Sequence, residues 1–498
     1  MKFKNDDSDN GACSQRKNDQ NWIKRLSQSN DFVHEHTSLK EDEPFWLSYY
    51  RTLISSDILH KEVLPYLQEK LSLEELKSKI PVQEIIFTSD THKIIQNILQ
   101  GYLAIQRHRL DEECLLINIA NSKFRDVGIP TMESSALGPQ VGFIEELDTN
   151  INLIRKRLPA AELLVKEMTV GKLSRTRVAV IYMDGIADPE NVITVIQRIE
   201  DIQYDQILDS SYIASMIEDN SHSLFPQSIS TERVDRVAAG LPEGKIIIAA
   251  DGSPNLVIAP VTLIESLIAM EDYSFSWIIS NFFRLLRFFS IFISGLVSPL
   301  YVATLTYHYE LIPSKLLENL VGSRVSVPFS PFLEALFLEI MIEMVKEAGI
   351  RLPTKIGQSL GVVGGIVIGQ AVVEAGLTSN VLLILVGLGT LASYIAPVYK
   401  FSNTIRFFKF PVIFLAQFLG LFGVFVGVLF TVLHTLRLTS LGRPYVSMYP
   451  LRKTAFQDLW FRLPFSMQKE NPQSLRPQKK RKSTGTGKKT EPLNDFYE

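Results

Sequence analysis

The residues of this chain that could carry charge into a membrane are glutamates set in an apolar stretch. Residues 332–345 are otherwise apolar, and the glutamates within and just after them are Glu334, Glu339, Glu343 and Glu347. The last three are four residues apart and therefore share one face of a helix. A carboxylate facing lipid is costly, so this face must turn to water, protein or a cavity. Two interpretations remain open: an amphipathic or re-entrant element beside an ion path, or an interfacial helix with a solvated edge.

A second pattern, in residues 356–374, could line a pore. Glycines recur there every four residues and would let helix backbones approach closely in lipid: Gly357, Gly361, Gly365 and Gly369. The neighbouring face has the same spacing, with polar residues at both ends and branched aliphatics between them: Gln358, Val362, Ile366, Gln370 and Glu374. Such a face suits a pore closed by a dewetting constriction. The alternative is a tightly packed helix whose glutamines bond to neighbouring helices.

The sequence contains none of the arrangements that metal-dependent or nucleophilic catalysis requires. The eight histidines form no ligand motif, and Cys13 and Cys114 lie in different segments. GQSLG at 357–361 has the GxSxG spacing, but it lies inside an apolar run and not in the strand-to-helix turn that a nucleophile elbow needs. The GTGKKT run at residues 485–490 lacks the glycine spacing of a phosphate loop. We therefore predict a protein that is not an enzyme, with no catalytic residue, no metal site, no cofactor and no nucleic-acid partner.

Long apolar segments must hold the glutamates and glycines in place. Residues 288–307 form a run of 20 without a charge, enough to cross ~30 Å of hydrocarbon. Arg284 and Arg287 precede this run, as expected at a cytoplasmic boundary. Further apolar runs lie at residues 356–373, 381–398 and 411–436. The pattern predicts an α-helical, multi-span membrane domain over residues 284–437.

The number of membrane crossings is not settled by the charges. Residues 440–498 contain 12 Lys and Arg against 5 Asp and Glu, which predicts a basic, largely disordered cytoplasmic tail over residues 438–498. The first thirty residues have no signal-peptide core, so we expect the N-terminal region in the cytoplasm as well. Four crossings satisfy both expectations but place Lys400, Arg406 and Lys409 outside, against the positive-inside rule. Five crossings repair that loop and put the basic tail outside.

The N-terminal half is typical of soluble protein. Residues 1–43 are polar and without apolar periodicity, and they predict a disordered lead. Residues 45–58 and 63–80 have the pattern of amphipathic helices, and β-branched runs at 84–88, 114–120, 178–183 and 245–250 predict buried strands. We predict an α/β soluble region with two subdomains, 44–170 and 171–275. The turns Asp184-Gly185 and Asp251-Gly252 are either ligand loops at strand ends or ordinary left-handed turns.

Several motifs, in both halves of the chain, resemble the A subunits of GerA-type spore germinant receptors. The matching stretches are GPQVGFIE at 138–145, TNINLIRKR at 149–157, YMDG at 182–185, DGSP at 251–254 with AP at 259–260, EDY at 271–273, EAGIRLP at 347–353 and GIVIGQA at 365–371. They follow one another in the expected order over roughly residues 44–465. The resemblance does not extend to the first 43 residues or the far tail.

The resemblance implies a multi-pass protein of the inner spore membrane, oligomeric and channel-forming, which responds to nutrients with a permease-like B subunit and a lipoprotein C subunit. Membrane lipid and further copies of the chain would be its other partners. On this basis the face from Gln358 to Glu374 is interpreted as a pore lining. A secondary transporter and a structural scaffold subunit are the alternatives. The Gly-rich segment occurs once, whereas transporters often carry inverted repeats.

Overall fold

The computed structural model describes residues 22–37, 45–68, 72–82, 84–108, 111, 113–121, 128, 130, 133, 137–351, 369–446, 460–464, 467 and 477–478. These residues fall into two compact units. The first unit contains the described residues up to Ser221, Ser228–Pro260 and residues 477–478, and the second contains His222–Gln227 and the described residues from Val261 to Met467. Each unit has its own hydrophobic core.

Five short strands form the first sheet of the first unit: β1 (Phe32–His36), β2 (Trp46–Tyr50), β3 (Ile85–Thr88), β4 (Tyr102–Gln106) and β5 (Cys114–Asn118). All neighbours are antiparallel, in the order β1-β2-β4-β5-β3. The helices that accompany this sheet are α1 (Trp22–Leu26), α2 (Ser56–Ile58), α3 (Leu73–Lys79) and α4 (Thr91–Ile98), with a π-helical turn at Leu59–Val63 and a 3-10 turn at Leu64–Gln68. Strands β4 and β5 are almost entirely buried, which explains their continuous apolar sequences.

Two helix predictions in this region are wrong. Residues 46–50 form strand β2, which pairs with β1 and β4, and its side chains are buried on both faces of the sheet rather than along one face of a helix. The helix predicted over residues 63–80 is divided. Pro65 lies in the 3-10 turn, and Ser72 then opens α3 with a capping box shared with Glu75.

Residues 22–37 are folded into the first unit, which corrects the prediction of a disordered lead for this part of the chain. The anchor is Asp31, whose carboxylate accepts hydrogen bonds from Arg155 Nε at 2.6 Å and Nη2 at 2.7 Å. Both side chains are buried, and the Arg155 guanidinium lies 4.0 Å from the ring centre of Tyr50. Arg155 also donates to Ser29 Oγ at 2.9 Å. A buried pair is retained only with such complete hydrogen bonding, and its partner here lies 124 residues away in the sequence.

The second sheet of the first unit also has five antiparallel strands: β6 (Leu163–Val170), β7 (Thr176–Met183), β8 (Ile229–Thr231), β9 (Ile246–Ala250) and β10 (Leu256–Ala259). Their order is β6-β7-β9-β10-β8. The associated helices are α5 (Leu147–Arg157), α6 (Pro189–Glu200), α7 (Ser210–Ile217) and α8 (Val234–Gly240), the last followed by a 3-10 turn at Leu241–Glu243. Strand β6 belongs to this sheet, although the sequence-based boundary assigns residues up to 170 to the first subdomain.

The second unit is mainly helical, with α9 (Trp277–Tyr307), α10 (Ser314–Arg324), α11 (Pro331–Arg351), α12 (Asn380–Ser393) and α13 (Tyr399–Arg437). Its smaller elements are 3-10 turns at Leu263–Leu267, Met270–Tyr273 and Tyr309–Leu311, a helical stretch at 369–374, and the paired strands β11 (Thr439–Ser440) and β12 (Arg443–Pro444). Among the described helices, α9 with 31 residues and α13 with 39 are long and apolar enough to cross a bilayer. Helix α12 is apolar but has only 14 residues.

Helix α13 is not one continuous rod. Gly420 has non-helical torsions, with φ at 60°, and it divides the helix into a first arm (399–419) and a second arm (421–437). The arms lie side by side: a Cβ placed on Gly423 would overlap the carbonyl oxygen of Leu415, and one on Gly427 would lie 2.9 Å from Val412 Cγ2. The apolar run 411–436, interpreted from the sequence as a single crossing, is therefore folded back on itself. We call α13 the hairpin.

Side-chain contacts fix the direction of α11 relative to α9. Glu334, near the start of α11, lies beside Tyr301 near the end of α9, with a hydrogen bond of 3.4 Å. Glu339, further along α11, accepts a hydrogen bond of 2.5 Å from Ser298, which is earlier in α9. The two helices are therefore antiparallel.

Helix α12 is likewise antiparallel to α9. Its N-cap residue Ser379 has its hydroxyl 3.1 Å from the Tyr301 hydroxyl. Ten residues later, a Cβ placed on Gly389 would lie 3.7 Å from the Ile293 carbonyl oxygen. Helix α12 therefore runs from the level at which α9 ends back toward the level of the middle of α9.

The first arm of the hairpin runs parallel to α9. Ile405, near the start of the arm, is 3.5 Å from the position of a Cβ on Gly295. Near the turn, the Tyr307 hydroxyl donates to the Gln417 carbonyl at 2.8 Å. The last residue of α9 therefore covers the turn, and the second arm returns toward the level at which α9 begins.

Candidate functional site: the glutamate ladder of helix α11

The four glutamates of α11 form a series along the helix, and we call Glu334, Glu339, Glu343 and Glu347 the glutamate ladder. Glu334 is fully buried. It accepts hydrogen bonds from the Ser379 backbone N–H at 2.6 Å, from Thr378 Oγ1 at 3.2 Å and from Arg324 Nε at 3.1 Å. The Arg324 guanidinium neutralises its charge. Glu334 thus ties α10, α11 and the start of α12 together.

Glu339 is paired with a cation from the hairpin. Lys409 Nζ donates to Glu339 Oε2, and Ser298 Oγ donates to Oε1 at 2.5 Å. The side chains of both ion-pair partners are only 2% exposed. In a low-dielectric interior such a pair is kept when further hydrogen bonds satisfy the carboxylate, as Ser298 does here. Removing one partner would leave the other as an uncompensated buried charge.

The two remaining members of the ladder are progressively more exposed. Glu343 lies 3.7 Å from Arg406 Nε, and Arg406 also contacts Asn403 on its own helix. Glu347 pairs at 2.7 Å with Arg351, one turn further along α11, and both side chains are largely exposed. The charge of α11 therefore passes from a buried end at Glu334 to an exposed end at Glu347.

This geometry bears on the two interpretations of the acidic face. Glu339 on this face and Glu334 beside it turn to protein, because cations from the hairpin and α10 neutralise them. Further along the face, Glu343 is partly exposed and Glu347 largely exposed. From the sequence alone, Arg406 and Lys409 are expected only as loop charges that conflict with the positive-inside rule. Two cations within an apolar helix are themselves a signal of intramembrane partners.

The predicted pore face is described only at its end. Gln358, Val362 and Ile366 lie outside the described residues, as do the glycines Gly357, Gly361 and Gly365. Gln370 and Glu374 are both exposed, one turn apart in the helical stretch 369–374. Gly369 is buried, and a Cβ placed on it would lie 3.8 Å from Leu383 Cδ2 of α12. The stretch thus packs its glycine against α12 and leaves its polar side chains uncovered.

The motifs of the first unit have structural roles. Asn150 in α5 bonds through its side chain to both backbone groups of Ile144, at 2.5 and 2.9 Å, and Asn152 donates to the Thr52 carbonyl at 2.5 Å. Asp251 accepts a hydrogen bond of 3.1 Å from the Leu147 N–H and so caps α5. These hydrogen bonds attach helix α5 to the residue segments that follow β2 in the first sheet and β9 in the second.

The two Asp-Gly turns adopt the conformation of ordinary left-handed turns. Gly185 has φ at 69° and Gly252 at 82°, values that glycine adopts without strain. Within the part of the chain that the structure describes, no group of three or more His, Cys, Asp or Glu could hold a metal ion.

Comparison with known proteins identifies the family. The family model described as Bacillus/Clostridium GerA spore germination protein matches residues 20–474. Spore germination protein GerIA of Bacillus cereus is 47% identical over 479 residues, which are 96% of this chain and 72% of that protein. Spore germination protein GerQA of the same organism is 47% identical over 450 residues, 90% of each chain.

A crystal structure of the N-terminal domain of the A subunit of the Bacillus megaterium spore germinant receptor GerK3 aligns at 23% identity. The alignment covers 48% of this chain and 91% of that chain, with a TM-score of 0.36. The relationship is carried by the sequence matches, which extend across both units. They confirm the resemblance seen in the motifs: this chain belongs to the Bacillus/Clostridium GerA spore germination protein family.

Proposed function

We propose that this chain is the A-type membrane subunit of a nutrient germinant receptor, and that several copies assemble to form or gate an ion path in the inner spore membrane. The observation that carries the proposal is the exposed pair Gln370 and Glu374, beside helices whose buried glutamates are neutralised within the chain. A carboxylate left uncovered in an apolar region needs water or a further copy around it. A ring of copies would supply both.

The helix directions support a multi-span arrangement. If α9 leaves the cytoplasmic side, α11 returns to it, α12 also ends there, and the two arms of the hairpin cross outward and back. Both Trp277 and Arg437 lie on the cytoplasmic side. Arg406 and Lys409 no longer count as loop charges, which removes the conflict with the positive-inside rule.

A permease-like B subunit and a lipoprotein C subunit would complete the receptor, and membrane lipid would surround the second unit. Exposed aromatic side chains on α9 and the hairpin are consistent with a lipid-facing surface, for example Phe282, Phe289, Phe418 and Phe422.

Crosslinking tests the assembly around Glu374. In a chain whose two cysteines are replaced by serine, Glu374→Cys should give a ladder of crosslinked copies with a short bifunctional maleimide in native membranes. Glu347→Cys is the matched control, since it replaces another exposed glutamate at the far end of α11. Only monomer at both positions, with both cysteines reactive, would contradict an assembly around the Gln370–Glu374 face.

A further inference from the structure

The second unit contains an apolar cavity of about 460 Å³ beside the N-terminal half of α9. Its wall is formed by α9, by both arms of the hairpin and by the segments before and after them. Its lining includes Phe288 and Phe292 of α9, Ile405 of the first arm, and Thr431 and Val432 of the second arm. The volume lies within the range of small-ligand sites, roughly 300–1,000 Å³.

The wall offers little hydrogen bonding to a ligand. The hydroxyls of Thr431 and Thr435 both donate to carbonyls of their own helix, each at 2.9 Å. The polar lining groups Asn281 and Arg284 lie at one end, where Asn281 bonds to the Arg462 backbone and Arg284 to Asp272. A polar nutrient such as an amino acid would therefore lose its hydration without compensation.

The dimensions match one leaflet of a bilayer. From Asn281 to Phe292 the cavity follows α9 for 11 residues, or roughly 16 Å at 1.5 Å per residue. Half of a hydrocarbon core is about 15 Å thick. Leu285, Phe292 and Val432 line the cavity and are also exposed, so it opens sideways between α9 and the second arm.

We propose that this cavity binds one acyl chain of a membrane phospholipid, with the glycerol end near Asn281 and Arg284. The inference rests on the membrane placement in the proposed function. Trp460 lines the cavity about one turn beyond Arg284, with its ring centre 6.2 Å from that of Phe288, and tryptophan is typical of the boundary between lipid headgroups and acyl chains. The bound chain would fill the space between α9 and both arms, and so hold the hairpin at a fixed distance from α9.

Photolabelling tests the site. The purified full-length protein is placed in nanodiscs that contain phosphatidylglycerol with a diazirine on one acyl chain, irradiated and mapped by mass spectrometry. We expect Phe288 and Phe292 to be labelled several-fold more than Phe289, which is 55% exposed on the same helix but does not line the cavity. Excess unlabelled lipid should reduce labelling at Phe288 and Phe292 first.

A cavity-filling variant provides the second readout. Thr431→Phe should abolish the excess labelling at Phe288 and leave Phe289 unchanged. Thr304→Phe is the control: Thr304 is half-buried like Thr431, its hydroxyl also donates to the carbonyl four residues earlier, and it does not line the cavity.

The outcomes separate this inference from the proposed function. Equal labelling of Phe288, Phe292 and Phe289 in the wild-type protein, unchanged by Thr431→Phe, would mean annular lipid only and would overturn the site. That comparison is made within the wild-type chain and stands even when the variant does not fold. Absence of label at all three positions would overturn the membrane placement itself.

Discussion

Replacing Lys409 with methionine removes the cation that neutralises Glu339 and keeps most of the apolar stem. Both side chains are 2% exposed, so water cannot replace the lost partner without opening the helices. Breaking a buried pair in this way costs about 3–5 kcal/mol. For a domain of 150–250 residues this corresponds to a fall in Tm of roughly 6–20 °C.

The assay is thermal unfolding of the purified protein in detergent, with Lys400→Met as the matched control. Lys400 lies near the start of the same helix and is exposed, so its replacement should leave Tm almost unchanged. The double variant Glu339→Gln with Lys409→Met removes both charges and should recover most of the loss. Equal Tm values for Lys409→Met and Lys400→Met would refute the reasoning. So would a double variant whose loss of Tm is as large as the losses of the two single variants added together.

Two further predictions concern the hairpin and the first unit. Gly423→Leu should lower Tm and membrane abundance, because any side chain there overlaps the Leu415 carbonyl. Gly387→Leu is the control, since a side chain there meets open space and should be tolerated. Equal Tm and abundance of the two variants would argue against the folded-back hairpin. Burial raises the pKa of the Cys114 thiol to about 12, so in a Cys13→Ser chain maleimide at about pH 8 should react only after denaturation. Rapid labelling of the native chain would show that β5 is not buried as described.

Continuous apolar runs in the sequence predicted several strands and one long helix correctly. The β-branched runs at 114–120, 178–183 and 245–250 became strands β5, β7 and β9, and the uncharged run 288–307 lies within α9. The aromatic segment that forms β2 was misjudged, because its pattern fits either a helix face or a strand buried on both sides. Burial on both faces is decided by the two core clusters that cover them, which contain residues from distant parts of the chain such as Leu103 and Leu116.

The candidate site could be predicted only in its acidic half. The spacing of the glutamates placed them on one helix, but their cations come from elsewhere: Lys409 is 70 residues from Glu339. The break at Gly420 was also hidden, because Gly423 and Gly427 have the small-residue spacing typical of contacts between separate membrane helices. Here that spacing serves a contact within one hairpin.

Ion flux through liposomes that contain only the purified chain tests the central claim most directly. We expect cation release above that of empty liposomes, a several-fold change in Glu374→Gln, and wild-type flux in the matched variant Glu347→Gln. Nutrient counterflow in place of ion release would indicate a transporter. No flux above background from protein that is folded and correctly inserted, or identical flux from all three chains, would contradict an ion path built around Glu374.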